Sequence, residues 1–252
     1  MITCRLLADM VGVPYNTEQI LPEGKIRYCR TDAVSRNIEP LSKGGNCVLV
    51  TSSSDMSVTK NLVDLLPSNV THWFSTNVMY NDSRLIAIPI GFVNNAERMQ
   101  HLLAQKRMPK PATKNLLYIN FTRKTNKLRL GLYERFAGYT WATLAGGESA
   151  YSVAPADFYA DIASHKYTLS PPGAGPDCHR TWEALALGSI PIVLRSFATE
   201  ILNDLPVLQV SSWTEIRQGV LVREYSRLVK RFKNLEKLQF NYWKERILSC
   251  VS

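Results

Sequence analysis

The chain has 252 residues, 45% of them hydrophobic, 20% charged and 10% aromatic, a profile that excludes a disordered or fibrous protein. Its length suits two domains of ordinary size, each able to bury a core without covalent staples. The five cysteines, Cys4, Cys29, Cys47, Cys178 and Cys250, are scattered and form no Cys-x-x-Cys pair, so no zinc ribbon or redox motif is written here and a reducing, cytoplasmic setting is the expectation.

From the amino terminus onward, Arg5 interrupts the only early apolar stretch, so no signal peptide is expected, and no segment reaches the ~18 apolar residues of a membrane span. Without secretion, the Asn-x-Ser/Thr triplets at Asn69, Asn81 and Asn120 carry no meaning. Apolar runs predict strands over 25–29, 46–51, 71–74 and 85–89, and helical patterns predict helices over 57–66 and 95–106. The stretch 107–114 holds two prolines among charges and reads as a linker. Beyond it, strands are predicted over 116–121, 140–144, 167–170 and 190–194, with helices over 126–136, 155–164 and 181–187. This alternation implies an α/β fold of parallel sheets, with domains over 1–108 and 115–220. The last 32 residues carry 8 Lys/Arg against 3 Asp/Glu, the largest share of the net charge of +9. Apolar positions 221, 225, 228, 232 and 235 predict one long amphipathic helix in 221–252, which either packs back on the body or offers a basic face to an anionic membrane or polyanion.

Parallel sheets bind ligands at the carboxyl ends of their strands, which directs attention to 166–194. There a strand ends at Ser170, a turn with Pro172, Gly173 and Gly175 follows, and Asp177, His179 and Arg180 enter a helix that also carries Glu183. The glycines admit a ligand close to the backbone, and the helix start offers free N–H groups to a phosphate. Arg180 and Glu183 share a helix face, so a guanidinium for phosphate and a carboxylate for sugar hydroxyls can project together. A plainer reading makes Asp177 a helix cap and Arg180–Glu183 a surface pair.

The 29 residues 166–194 resemble the donor-binding segment of exostosin-like glycosyltransferases, in which a Ser-Pro-x-Gly loop precedes His/Arg and then Glu-Ala-Leu-x-x-Gly-x-Ile-Pro-Ile/Val. Leu117-Tyr-Ile-Asn-Phe-Thr-Arg-Lys-Thr-Asn-Lys-Leu-Arg129 is similar to the first strand and basic loop of the same domain, and Trp73-Phe-Ser-Thr-Asn77 with Ile88-Pro-Ile-Gly91 resembles the amino-terminal one. The resemblance implies a GT-B-like fold, two Rossmann-type domains facing a cleft, that transfers a sugar from a UDP-linked donor to a glycan hydroxyl, without cofactor or metal. It implies donor contacts from Arg123, Lys124, Arg129, the Ser170–Gly175 loop with Pro172 and Gly173, Asp177, His179, Arg180 and Glu183. The amino-terminal domain would bind the acceptor and supply the base of an inverting displacement.

Asp55, in the loop after the second strand, is the candidate base; its other reading is a cap for the helix near Ser57. Asp9, Glu18 and Asp32 are alternatives, and His72 and Asn77 are candidate acceptor contacts. Trp73, Trp141, Trp182 and Trp213 either stack on ligand or fill core. No Asp-x-Asp occurs and the four histidines show no ligand spacing, so no metal is expected. The absence of Gly-x-Gly-x-x-Gly after the first strand argues against a dinucleotide-dependent dehydrogenase. Two other functions fit: transfer to a hydroxylated base in DNA, suggested by the basic carboxyl terminus, and a non-catalytic nucleotide or polyanion-binding module.

Overall fold

The computed structural model describes residues 1–21, 23–109, 111, 114–146, 149 and 152–251; Lys110, Ala112 and Thr113 of the expected linker lie outside them. Among the described residues, β1 (Ile26–Arg30), β2 (Cys47–Ser52), β3 (Val70–Ser75) and β4 (Leu85–Ala87) form a parallel sheet in that order. A second parallel sheet holds β5 (Asn115–Ile119), β6 (Ala142–Leu144), β7 (His165–Leu169), β8 (Ile190–Leu194) and β9 (Leu208–Val210), in the order β6-β5-β7-β8-β9. The predicted strands fall on β1 to β8 within two residues at each end, because strands such as β2, buried along its whole length, must be apolar on both faces.

The helices are α1 (Cys4–Asp9), α2 (Ile38–Ser42), α3 (Lys60–Val63), α4 (Ala96–Arg107), α5 (Leu132–Phe136), α6 (Pro155–Ser164), α7 (His179–Ala186), α8 (Gln218–Leu228) and α9 (Phe240–Ser249). One face of the first sheet packs Leu49 and Trp73 against Val34, Leu41 and Leu62. The other packs Tyr28, Val50 and Phe74 against Leu7 of α1 and Trp243 and Ile247 of α9, so the last helix returns to the first sheet. The second sheet is covered on one side by Phe136, Leu221 and Leu228, and on the other by Phe158, Ile162 and Trp182. Leu102 of α4 joins this latter core, so α4 packs on the second sheet although its sequence precedes the linker.

Three helix expectations are corrected. The predicted 126–136 helix is one 3-10 turn, Lys127–Arg129, and then α5, because Gly131 adopts φ 75° and breaks the run. The 57–66 helix contracts to α3 behind Thr59. The carboxyl-terminal helix is not continuous: Asn234 at ψ 85° and Gln239 at ψ 137° interrupt it. Two of its cations bond the body, Arg231 donating to the Asn203 carbonyl at 2.7 Å and Lys237 to that of Ile201 at 2.9 Å, while Arg227 pairs with Glu224 on its own helix at 2.8 Å. No helix among the described residues is long and apolar enough to cross a membrane.

The chain passes between the sheets through Ile88-Pro-Ile-Gly91. Gly91 holds φ 67°, and a Cβ there would collide with the Ile2 carbonyl oxygen, itself bonded by the Phe92 N–H at 3.0 Å. Both the left-handed backbone and the fixed neighbour oppose a side chain, so Gly91→Ala is expected to cost about 3 kcal/mol, lowering the melting temperature by roughly 6–10 °C. A thermal melt checks this, and a drop under about 2 °C would mean that the amino terminus yields.

Candidate active site

The strand order of the second sheet reverses between β5 and β7, and chains leaving two such strands diverge to leave a crevice at their carboxyl ends. A cleft of about 280 Å³ lies there. Asp55, Ile90, Val93 and Arg98 come to it from the first domain and α4; Thr122, Thr125, Arg129, Phe158, Gly173, Gly175 and residues 177–180 and 183 line the other wall.

Arg129 builds that second wall. Its guanidinium is buried and donates to the carbonyls of Thr122 (2.9 Å), Pro171 (3.2 Å) and Pro172 (2.8 Å). The post-β7 loop is thereby tied to the post-β5 loop, and Asn126 adds a bond to the Gly173 carbonyl at 2.7 Å. At Gly173 a Cβ would stand 3.0 Å from Arg129 Nη2, which accounts for glycine at this position. The loop delivers the chain to α7, whose N-cap Cys178 makes no side-chain capping bond, so the helix start presents N–H groups and a positive end.

Arg180, in the first turn of α7, is 9% exposed and lies over the Phe121 ring at 5.9 Å, and its Nε and Nη1 have no hydrogen-bond partner among the described residues. Burial, and next the charge of Arg180, push the pKa of Arg129 down, so two neighbouring guanidinia share one dry wall. Glu183, one turn further, is also buried and accepts a 2.8 Å bond from the Tyr159 hydroxyl. Asp55 follows a sharp turn at Ser53, which has φ 57°. Its carboxylate is exposed and makes no hydrogen bond or ion pair among the described residues. It caps no helix, since the N-cap of α3 is Thr59. Glu18 is paired with Arg36 and Asp32 with Arg30; neither these nor Asp9 line the cleft.

The domains are clasped at the mouth of α7. The Asp177 carboxylate is buried and accepts from the Ile90 N–H (2.9 Å), the Cys178 N–H (2.8 Å) and the Trp182 indole (2.9 Å). The Asp177 N–H donates to Asn77 Oδ1 at 3.1 Å, Asn77 Nδ2 donates to the Ser54 carbonyl at 3.1 Å, and His179 Nδ1 donates to the Gly91 carbonyl at 2.7 Å. A carbonyl acceptor requires the proton on Nδ1, leaving Nε2 of a neutral His179 as an acceptor.

The structure therefore gathers Asp55, Arg129, Gly173, Gly175, Asp177, His179, Arg180 and Glu183 around one cleft. The other expected residues are not among those that line the cleft. His72 sits toward the amino-terminal end of β3, away from the cleft, with its ring on Thr71 at 3.2 Å. Asn77 serves as a clasp between domains instead of lining the cleft. Arg123 folds over the Tyr133 ring at 4.2 Å and bonds Glu134 at 2.7 Å, and Lys124 is exposed outside the cleft wall. Ser170 is buried against Thr181 at 2.9 Å, and Pro172 contributes its carbonyl to Arg129. Trp73 and Trp182 are core; the Trp213 indole bonds the Leu128 carbonyl.

The family described as Exostosin GT47 domain matches residues 41–228. The chain belongs to the exostosin GT47 family. Comparison with the curated protein sequences gives no match. Among solved structures, a chain titled "Crystal structure of GtfA/B complex" is similar at 11% identity and a TM-score of 0.40. That similarity covers 98% of this chain and 56% of that one, so this exostosin-family chain spans little more than half of its length.

In this GT47 chain, the cleft residues that sequence reasoning missed are Arg98 and Phe158 together with Thr122 and Thr125, and behind them Tyr159, which is core and bonds Glu183. Arg98 reads in sequence as an ordinary solvated helix cation, and only the docking of α4 on α6 brings it over the Phe158 and Tyr159 rings at 5.2 and 5.5 Å. Tyr159 lies in an amphipathic helix where any aromatic reads as core.

The clasp also makes the fold of this family member sensitive to pH. Burial pushes the Asp177 carboxyl up from 3.8 to about 6, against the opposing N–H donors and His179. Because the folded value exceeds the unfolded one, the folded state holds the proton more tightly; this contribution is full below the unfolded pKa and is lost as pH rises through 6. Relative to Asp177→Asn, the unfolding free energy of the native protein is expected to fall by on the order of 2 kcal/mol between about pH 4 and about pH 7. Urea titrations at the two pH values measure it; parallel curves for both proteins would refute the buried, titrating clasp.

Proposed function

We propose that the chain is a metal-independent glycosyltransferase that moves a sugar, with inversion, from a uridine diphosphate sugar to a hydroxyl of a glycan acceptor. The observation that carries this reading is Arg180, a cleft-lining residue whose guanidinium lies over the Phe121 ring at 5.9 Å and whose buried Nε and Nη1 have no hydrogen-bond partner among the described residues. An unpaired buried charge beside a second guanidinium is costly unless an anion completes it. A diphosphate is such an anion, and the α7 start and the Gly173–Gly175 loop favour it as well.

Glu183 accepts hydrogen bonds from hydroxyls of the ribose or donor sugar. Asp55, across the cleft, takes the proton of the acceptor hydroxyl. The acceptor oxygen bonds to the anomeric carbon as the bond from that carbon to the diphosphate oxygen breaks, and the electron pair leaves with the diphosphate. The charge that develops there meets Arg180, the field of Arg129 and the end of α7, which were in place beforehand. The acceptor lies over the loops of the first sheet.

The test is a thermal-shift and transfer screen against nucleotide sugars, with and without chelator. One uridine diphosphate sugar should raise the melting temperature by mass action and support transfer to a glycan in both conditions. Absence of any shift, or activity lost in chelator, would overturn the corresponding part of the reading.

A further inference from the structure

Tyr159 has no exposure, and its ring sits in the core between α6 and the second sheet. A phenylalanine would fill the same space, so the hydroxyl needs a reason. A buried phenol hydroxyl usually finds a convenient backbone carbonyl; this one instead bonds Oε1 of Glu183, the one carboxylate of α7 that lines the cleft, at 2.8 Å. Glu183 is itself only 3% exposed, and a buried carboxylate must be hydrogen-bonded or it is driven from its site. Tyr159 supplies the single bond found at Oε1, leaving Oε2 for a ligand. From the other side, Arg98 stands over the same ring at 5.5 Å and lines the cleft. Burial, and then the Glu183 charge, raise the Tyr159 pKa strongly, which keeps the phenol protonated and the bond in its donating sense.

We infer that Tyr159 is a positioning residue: its hydroxyl fixes the Glu183 carboxylate so that one oxygen is presented to a hydroxyl of the bound donor. This rests on the nucleotide-sugar reading of the cleft. Holding a rotamer in advance strengthens donor binding without touching the reacting bond, so its loss belongs in KM.

The experiment is a double-mutant cycle of Tyr159→Phe and Glu183→Gln, read by steady-state kinetics with the uridine diphosphate sugar selected by the screen and by calorimetric binding of uridine diphosphate sugar alone. Tyr159→Phe should raise donor KM about ten-fold with kcat within about two-fold and acceptor KM unchanged. On the Glu183→Gln background the same change should add less than about two-fold. Native donor KM in Tyr159→Phe, or its full loss persisting on the Glu183→Gln background, would overturn the inference and leave Tyr159 as core. Should Tyr159→Phe not fold, Glu183→Gln and Glu183→Ala are compared on the native background: equal donor KM in the two would show that the orientation of the side chain does not matter. If the native protein binds no nucleotide sugar, the reading of the cleft fails first and the inference falls with it.

Discussion

Replacing Arg180 by methionine is expected to stabilise the protein while slowing transfer severely. Two of its guanidinium nitrogens are buried without hydrogen-bond partners among the described residues, and its positive charge adds to burial in lowering the pKa of neighbouring Arg129. Methionine keeps the length and apolar stem of the side chain and removes the desolvated charge, a change worth about 1–3 kcal/mol, or roughly 2–10 °C in melting temperature. The same removal strips the cleft of a preorganised cation facing the leaving diphosphate, at a cost of about 10²–10³-fold in turnover and most of the donor-induced thermal shift. Arg129 supplies the contrast. Its nitrogens bond three carbonyls of the cleft loops, so Arg129→Met should lower the melting temperature because it orphans buried acceptors. Melting curves and kinetics on the two variants separate the roles: a melting temperature that falls with Arg180→Met, or turnover near native, would show that Arg180 belongs to the frame and not to the site.

The sheets were legible because a strand buried on both faces has few sequence alternatives. Cys47-Val-Leu-Val-Thr-Ser and Ile190-Pro-Ile-Val-Leu read as strands in isolation, and β5 through β8 fell where apolar runs placed them. Helices were less legible wherever one backbone angle decided the outcome. Gly131 ends the run before α5 by its left-handed φ, and Asn234 divides a stripe whose apolar spacing is otherwise uninterrupted. Within the site, α7 and the loop before it were readable, since Gly173, Gly175, Arg180 and Glu183 occur close together in one segment. Residue type alone could not distinguish Arg180, whose charge is left unpaired, from Arg129, whose charge is used up on backbone carbonyls. Nor could it foresee that Asn77 and Asp177, a hundred positions apart in the chain, meet across the domains. Such pairings follow from the packing of one domain on the other, which local pattern does not encode.

Asp55→Asn is expected to lower kcat by about 10³-fold while leaving donor affinity and stability unchanged. The stability half follows from the absence of any bond to this carboxylate among the described residues: asparagine has the same shape, and none of those residues loses a partner. The donor half follows from its position, on the first-domain side of the cleft and opposite the Arg180 wall. The kinetic half depends on the loop being held still, because a base acts only within hydrogen-bond reach of the proton it removes. That restraint is visible: Met56 N–H bonds Ser54 Oγ at 3.1 Å, and the Ser54 carbonyl is held by Asn77, which also receives the Asp177 N–H. The base loop and the donor loop are therefore joined through one side chain. Rates near native in Asp55→Asn, with donor binding intact, would move the proton transfer to another group in the cleft, and His179, with Nε2 free to accept, is the group the geometry offers next.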